Sequence, residues 1–158
     1  MIVRAPRVRL ADPNLVLQSM ASSTDPSPLS PDAPCPCGRG PRYADCCGRY
    51  HAGPLHLLAP DPESLMRSRY SAFVLDLRDY LMATWHPDHR PDAIGPPEAG
   101  LRWLGLEVKS VRLNGPDAGE VSFVARSKLD GRAHRLVERS AFVREGGRWL
   151  YTRALDAA

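Results

Sequence analysis

Every cysteine of the chain, Cys35, Cys37, Cys46 and Cys47, lies in one run of thirteen positions. Four thiolates so close in sequence can complete the tetrahedral shell that structural Zn²⁺ prefers, and they leave no open position for a substrate. A closed site of that kind folds the chain around itself and does no catalysis. Pro36, Gly38, Gly40, Pro41 and Gly48 suit a backbone that must reverse tightly around one ion. The same cysteines could instead form two disulfides, which needs an oxidising compartment and thiols whose Cβ atoms approach closely. The first 33 residues hold no apolar run long enough for a signal-peptide core, so zinc is the preferred reading. The adjacent pair adds a constraint. Neighbouring side chains on a helix point about 100° apart, so Cys46 and Cys47 reach one ion only where a helix starts, ends or is distorted. Four thiolates around Zn²⁺ carry a net charge of about −2. Arg39, Arg42, Arg49 and His51 lie near enough in sequence to offset it.

A second set of residues could carry chemistry further along. Arg67, Arg69, Tyr70, Trp85, His86 and Glu138 are the candidate ligand-binding residues, with Ser140 beside them. Glu138 sits among Leu136, Val137 and Phe142, so turned inward it would pair with Arg67 or Arg69 as a buried structural ion pair. That reading is preferred to general-base work, because an Arg partner lowers a carboxylate's pKa and makes it a poor base near neutral pH. His86 could be a base. Before Pro87 it reads better as a helix C-terminal cap, where the dipole favours a cation. Trp85, Trp103 and Trp149 read as packing. Ser140 lacks a G-x-S-x-G setting, and no glycine-rich phosphate loop follows a strand, so no catalytic residue is assigned.

The elements that must position these side chains are legible from periodicity. Asp61, Pro62 and Glu63 read as an N-cap, a Pro at the first helical position and an acid favoured by the dipole. Met66, Tyr70, Phe73, Val74, Leu77, Leu81 and Trp85 then recur at helical steps, as one bent helix or as two with Asp76 capping the second. His86-Pro87 ends the stripe. After a Pro-rich loop the period becomes two: Leu104, Leu106 and Val108 alternate with Gly105, Glu107 and Lys109, and Val121, Phe123 and Ala125 share a face. Turns at residues 114–119, at Asp130-Gly131 and at Gly146-Gly147 separate four strands. Helices followed by an antiparallel meander imply an α+β fold with the helices on one face of a curved sheet.

At 158 residues and 43% hydrophobic content the chain can build one ordinary core and one small satellite. The satellite would be the cysteine knuckle, which needs its metal to fold. The larger domain is expected to stay folded without metal, any loss of structure stopping near residue 60. The net charge is +3, and all but Lys109 and Lys128 of the 21 basic residues are Arg, interspersed with 18 acids, a balance that argues against nucleic-acid binding. No stretch is long and apolar enough for a membrane span. Pro, Ser, Asp and Ala dominate residues 21–34, so residues 1–33 read as a disordered leader, with the start of translation open between Met1 and Met20.

The spacing Cys-x-Cys, eight residues, Cys-Cys, opened by Cys35-Pro36-Cys37-Gly38 and enclosing Tyr43, resembles the SEC-C motif, the zinc module named after the C-terminus of the bacterial translocation ATPase. Arg39 stands where that motif commonly has Ser, and Pro41 where it commonly has Lys. Neither is a ligand, so the departures touch partner contacts and leave metal binding intact. With Leu65 to Ala72, Ala83 to Pro87, Trp103 to Leu106 and Glu138 to Ser140, the chain resembles the YchJ-type family of uncharacterised bacterial proteins over residues 35 to about 153. The resemblance implies a SEC-C-like knuckle over 34–52 and, over 61–155, a nuclear-transport-factor-two-like cone whose pocket the helix stripe and sheet would line.

The function expected is that of a cytoplasmic, non-enzymatic module. Its knuckle would hold Zn²⁺ and dock a protein partner, and its cone would bind a small molecule or form a homodimer. The alternative is a small-molecule enzyme of isomerase or hydrolase type, using Glu138 or His86 as acid or base and an Arg to orient an anionic substrate. An open cavity holding Glu138 and an Arg, not sealed against each other, would favour the alternative.

Overall fold

A computed structural model describes residues 29–155; positions 1–28 of the expected leader lie outside the described residues. Within it the Asp61 carboxylate accepts a hydrogen bond from the Ser64 amide at 2.7 Å, and Pro62 opens the helix. This side-chain cap satisfies a backbone donor that the first turn leaves without a partner.

Four residues past the cysteines form a short helix, α1 (Gly48–His51). The capped helix is α2 (Pro62–Val74), and α3 (Arg78–Ala83) follows it after a turn. Asp76 does not cap α3. Its backbone is left-handed at φ 55°, and its carboxylate pairs with Arg78 Nε at 3.1 Å, while Leu77 holds the N-cap position with no side-chain bond. The apolar stripe is therefore carried by two helices.

Strands β1 (Arg102–Leu113), β2 (Ala118–Leu129), β3 (Arg132–Glu145) and β4 (Arg148–Leu155) pair antiparallel in the order β1-β2-β3-β4. Asp130 and Gly131 take φ of 51° and 78°, the pair of left-handed residues that a tight hairpin needs to match strand twist. Val121, Phe123 and Ala125 are buried, as their shared face requires. β1 departs from simple alternation. A bulge between Trp103 and Gly105 turns Leu104 to solvent, 55% exposed, while Trp103, Leu106 and Val108 pack on the core. Further register irregularities lie at Val108/Ser110 and at Ala141/Phe142, the kind of feature that bends a strand.

His86 is not a helix cap. α3 ends at Ala83 with Thr84 as its C-cap, and the chain then runs beside β4: Tyr151 N donates to Thr84 O at 2.8 Å and His86 N donates to Tyr151 O at 2.7 Å. Trp85 thus pairs in parallel with Tyr151. Two backbone hydrogen bonds to a strand edge outweigh one further turn of a short helix whose next residue, Pro87, could not extend it. No helix among the described residues is long and apolar enough to cross a membrane.

The cap at Asp61 fixes where α2 begins, so Asp61→Ala should cost about 1 kcal/mol of stability. Urea denaturation should show a lower midpoint with unchanged slope; an unchanged midpoint would mean the cap is not holding α2.

Candidate metal centre and adjoining cavity

The four cysteine sulfurs lie within 4.8 Å of one another, all four residues are buried, and all four thiols are free. Cys37 Sγ and Cys46 Sγ are 3.5 Å apart. A tetrahedral ion with metal–sulfur bonds of about 2.3 Å holds its sulfurs roughly 3.8 Å apart, so the cluster fits a divalent ion of that type. The local chain explains the fit. Pro34 bridges Arg42, Cys35 N donates to Pro41 O at 3.2 Å and Gly38 N donates to Cys35 O at 3.1 Å, which closes a loop presenting Cys35 and Cys37. A 3₁₀ turn at Tyr43–Asp45 then ends, Cys46 takes the irregular backbone φ −125°, ψ −119°, and Cys47 caps α1. The adjacent pair therefore sits at a break between helical turns, where both sulfurs can face inward. Gly48 belongs to this break, because a Cβ there would come within 2.7 Å of Tyr43 O.

The electrostatics of the cluster call for a cation. Hydrogen bonds from Cys37 and Cys47 pull the Cys35 thiol far down. Burial, followed by the nearby Cys37, pushes Cys46 up to about 12, and hydrogen bonds to Cys35 and Cys37 together with burial push Cys47 up as well. The thiolate of Cys35 is favoured, while those of Cys46 and Cys47 are opposed until an ion supplies positive charge. Most of the nearby basic residues are engaged elsewhere. Arg42 pairs with Asp32 and Asp45, and Arg39 with Glu63 at 3.3 Å. Arg49 Nε and Arg67 Nη1 do reach ligand residues, donating to Cys46 O at 3.0 Å and Cys37 O at 3.1 Å.

The knuckle is not a satellite. Its cysteines belong to the same buried cluster as Leu65, Tyr70, Phe123 and Phe142. Cys35 Sγ meets Ser71 Oγ of α2 at 3.7 Å. His51 Nε2 donates to Ser68 O at 2.8 Å, and its Nδ1 pairs with the Tyr43 hydroxyl at 2.6 Å. Burial lowers the pKa of His51, which favours the neutral ring, donating from Nε2 and accepting at Nδ1.

On the opposite side of α2 a cavity of about 320 Å³ opens between helix and sheet. Arg69, Tyr70, Trp85 and Glu138 all line it, with Ser140 and Tyr151. Arg67 and His86 do not. Arg67 is two residues from Arg69, hence on the other side of the helix, bonded to Glu63 at 3.0 Å. His86 lies against Glu145, Nε2 to both carboxylate oxygens at 3.0 Å. The expected ion pair of Glu138 with an Arg is absent among the described residues. The Arg69 guanidinium donates from Nη1 to Leu81 O and to Thr84 Oγ1, both at 2.7 Å, and stacks 4.6 Å from the Tyr151 ring centre and 5.2 Å from that of Trp85. Glu138 accepts from Ser140 Oγ at 2.8 Å and from the Tyr151 hydroxyl at 3.5 Å. Tyr151 went unassigned in the sequence; its signal was its register opposite Phe142 on the inner face of β4.

A family model described as the middle NTF2-like domain of YchJ matches residues 61–154. The chain belongs to the YchJ-like family. A UPF0225 protein of Methylibium petroleiphilum is 68% identical over 128 residues, covering 78% of this chain and 92% of that one. One from Bordetella parapertussis is 56% identical over 124 residues, covering 78% and 93%. Among solved structures, a SEC-C motif containing protein from Rhodopseudomonas palustris superposes with TM-score 0.70 at 34% identity, covering 79% of this chain and 99% of that one. Another from Psychrobacter arcticus gives 0.63 at 25% identity, covering 81% and 86%. The family match covers the cone, and the solved SEC-C proteins are similar over a length that takes in the cysteine cluster as well.

His51 joins the knuckle to α2, so His51→Phe should leave Ser68 O and the Tyr43 hydroxyl without that partner and cost about 1–3 kcal/mol. Hydrogen exchange should quicken in both 43–51 and 62–74. Quickening confined to the knuckle would show that the two do not share stability.

Proposed function

We propose that this chain is a zinc-stabilised binding module, with Zn²⁺ held by Cys35, Cys37, Cys46 and Cys47 and a small molecule held in the cavity around Arg69 and Glu138. The observation that carries it is that α2 serves both sites: Ser71 borders the thiols on one side, and Arg69 and Tyr70 line the cavity on the other. Free thiols in a buried metal-sized cluster suit a reducing compartment, which supports a cytoplasmic location. The zinc in this reading is structural, since four thiolates fill its shell, and it contributes folding free energy to the helix that it borders.

The outer surface of the knuckle supports the further reading that it docks a protein partner, because Leu55 and Leu58 are large apolar side chains left exposed just past α1. Pull-downs with the intact protein and with Leu55→Ser/Leu58→Ser should differ; identical partner sets would end that role. An enzymatic reading is favoured by one observation, that Glu138 faces the cavity without an Arg bonded to it. It would require a turnover that Glu138→Gln removes while ligand affinity persists.

Purified under reducing conditions, the protein should contain one zinc per chain. Because the thiols are packed on α2, chelation should loosen more than the knuckle: hydrogen exchange should quicken through residues 62–74, past the boundary near 60 that the sequence alone suggests. A metal-free protein with full stability would refute the zinc reading. Chelator effects confined to 34–52 would refute the coupling and keep the metal.

A further inference from the structure

The cavity holds a buried cation with no anion bonded to it. Arg69 is 5% exposed and forms no ion pair within 4.0 Å among the described residues, an uncommon state for a buried guanidinium. Its hydrogen bonds all leave from Nη1, so Nε and Nη2 remain available in a residue that lines the cavity. Burial pulls its pKa down to about 10, which leaves it cationic at neutral pH and shows the desolvation that a paired anion would relieve. Across the cavity Glu138 uses Oε1 for both of its bonds, from Ser140 and Tyr151, and leaves Oε2 free to accept another donor. Tyr151 stands between the two charges, its ring beside the guanidinium and its hydroxyl on the carboxylate. The remaining wall is apolar: Phe73, Trp103, Phe123, Leu136 and Phe142. Phe73 and Leu136 are also partly open to solvent, which places an apolar rim at the entrance.

We infer that the cavity takes a small apolar monocarboxylate carrying a hydrogen-bond donor, its carboxylate on Arg69 Nε and Nη2, its donor on Glu138 Oε2 and its apolar body against Phe73, Trp103 and Leu136. This rests on the reading of the cavity as a binding site. An Arg fork matches a carboxylate in two parallel hydrogen bonds, and in a site with few other polar groups that contact sets orientation as well as affinity. Glu138 supplies the selectivity. A ligand that ends in a second acceptor would face a carboxylate and be rejected, whereas a hydroxyl is accepted. The volume of about 320 Å³ lies at the small end of ligand pockets, which favours a compact ligand.

The test is calorimetric titration of the metal-replete full-length protein with 4-hydroxyphenylacetate, phenylacetate, 4-hydroxyphenylacetamide and tyramine. The hydroxylated acid should bind saturably. Phenylacetate lacks the donor and the amide lacks the charge, so each should bind about tenfold or more weakly, and tyramine should not bind. Arg69→Met should remove the preference for acid over amide. If that variant fails to fold, Glu138→Gln serves: it should narrow the gap between the hydroxylated and plain acids and keep the gap between acid and amide. Equal binding of acid and amide, or a preference for tyramine, overturns the ligand class and leaves the cavity a binding site. A preference for the acid that survives in folded Arg69→Met overturns the assignment to Arg69. No binding by any of the four overturns both readings.

Discussion

The structure depends on α2 being packed from both sides. A helix at the surface of a small α+β domain normally buries one stripe and solvates the rest. Here Met66, Arg69 and Tyr70 are buried with Ser64, Ser68 and Ser71, so no wide face is left for water. The serines make this possible. Their side chains are small enough to admit the knuckle at close range, and their hydroxyls find partners: Ser71 with Cys35 and Ser64 with Arg39 on the knuckle, Ser68 with Tyr80 of α3. Larger apolar groups in those places would hold the thiols away, and residues without hydroxyls would leave polar groups of the knuckle unsatisfied.

On the cavity side of α2, Arg69 is buried against the end of α3, Trp85 and Tyr151. Its charge is tolerated through a carbonyl, a hydroxyl and two aromatic faces instead of through a carboxylate. Such an arrangement offsets part of the desolvation cost and leaves donor capacity in reserve. Glu138 is satisfied in a similar partial way by Ser140, its i+2 neighbour on the same face of β3, and by Tyr151.

How much of this the sequence discloses depends on whether the deciding interaction is local. The α+β order, the Asp61 cap, the Asp130-Gly131 hairpin and the four-cysteine cluster follow from residues close together in the chain, and the structure contains each. The outward turn of Leu104 was not legible, because a bulge is chosen by how two strands fit and not by the pattern of either one. His86 was misassigned because the competing interaction, pairing with the backbone of Tyr151, comes from a strand 65 residues later. Arg67 and Arg69 could be separated by helical geometry alone. That Arg69 bonds backbone rather than Glu138 could not, since the choice rests on where α3 ends. The depth to which the knuckle sinks against α2 was hidden for a related reason: the serines read as ordinary polar positions until their partners are known.

The run from Thr84 to His86 along β4 has a consequence for how copies of this chain can meet. An open sheet ends in two rows of unpaired amides and carbonyls, each able to recruit a strand from another molecule. On the β4 side that row is partly occupied by the chain's own Trp85 segment. On the β1 side the line is broken by two irregularities, and Arg102, Lys109 and Arg112 add charge along the same strand. Continuous sheet extension is thereby obstructed at both margins, so self-association would have to use faces rather than edges.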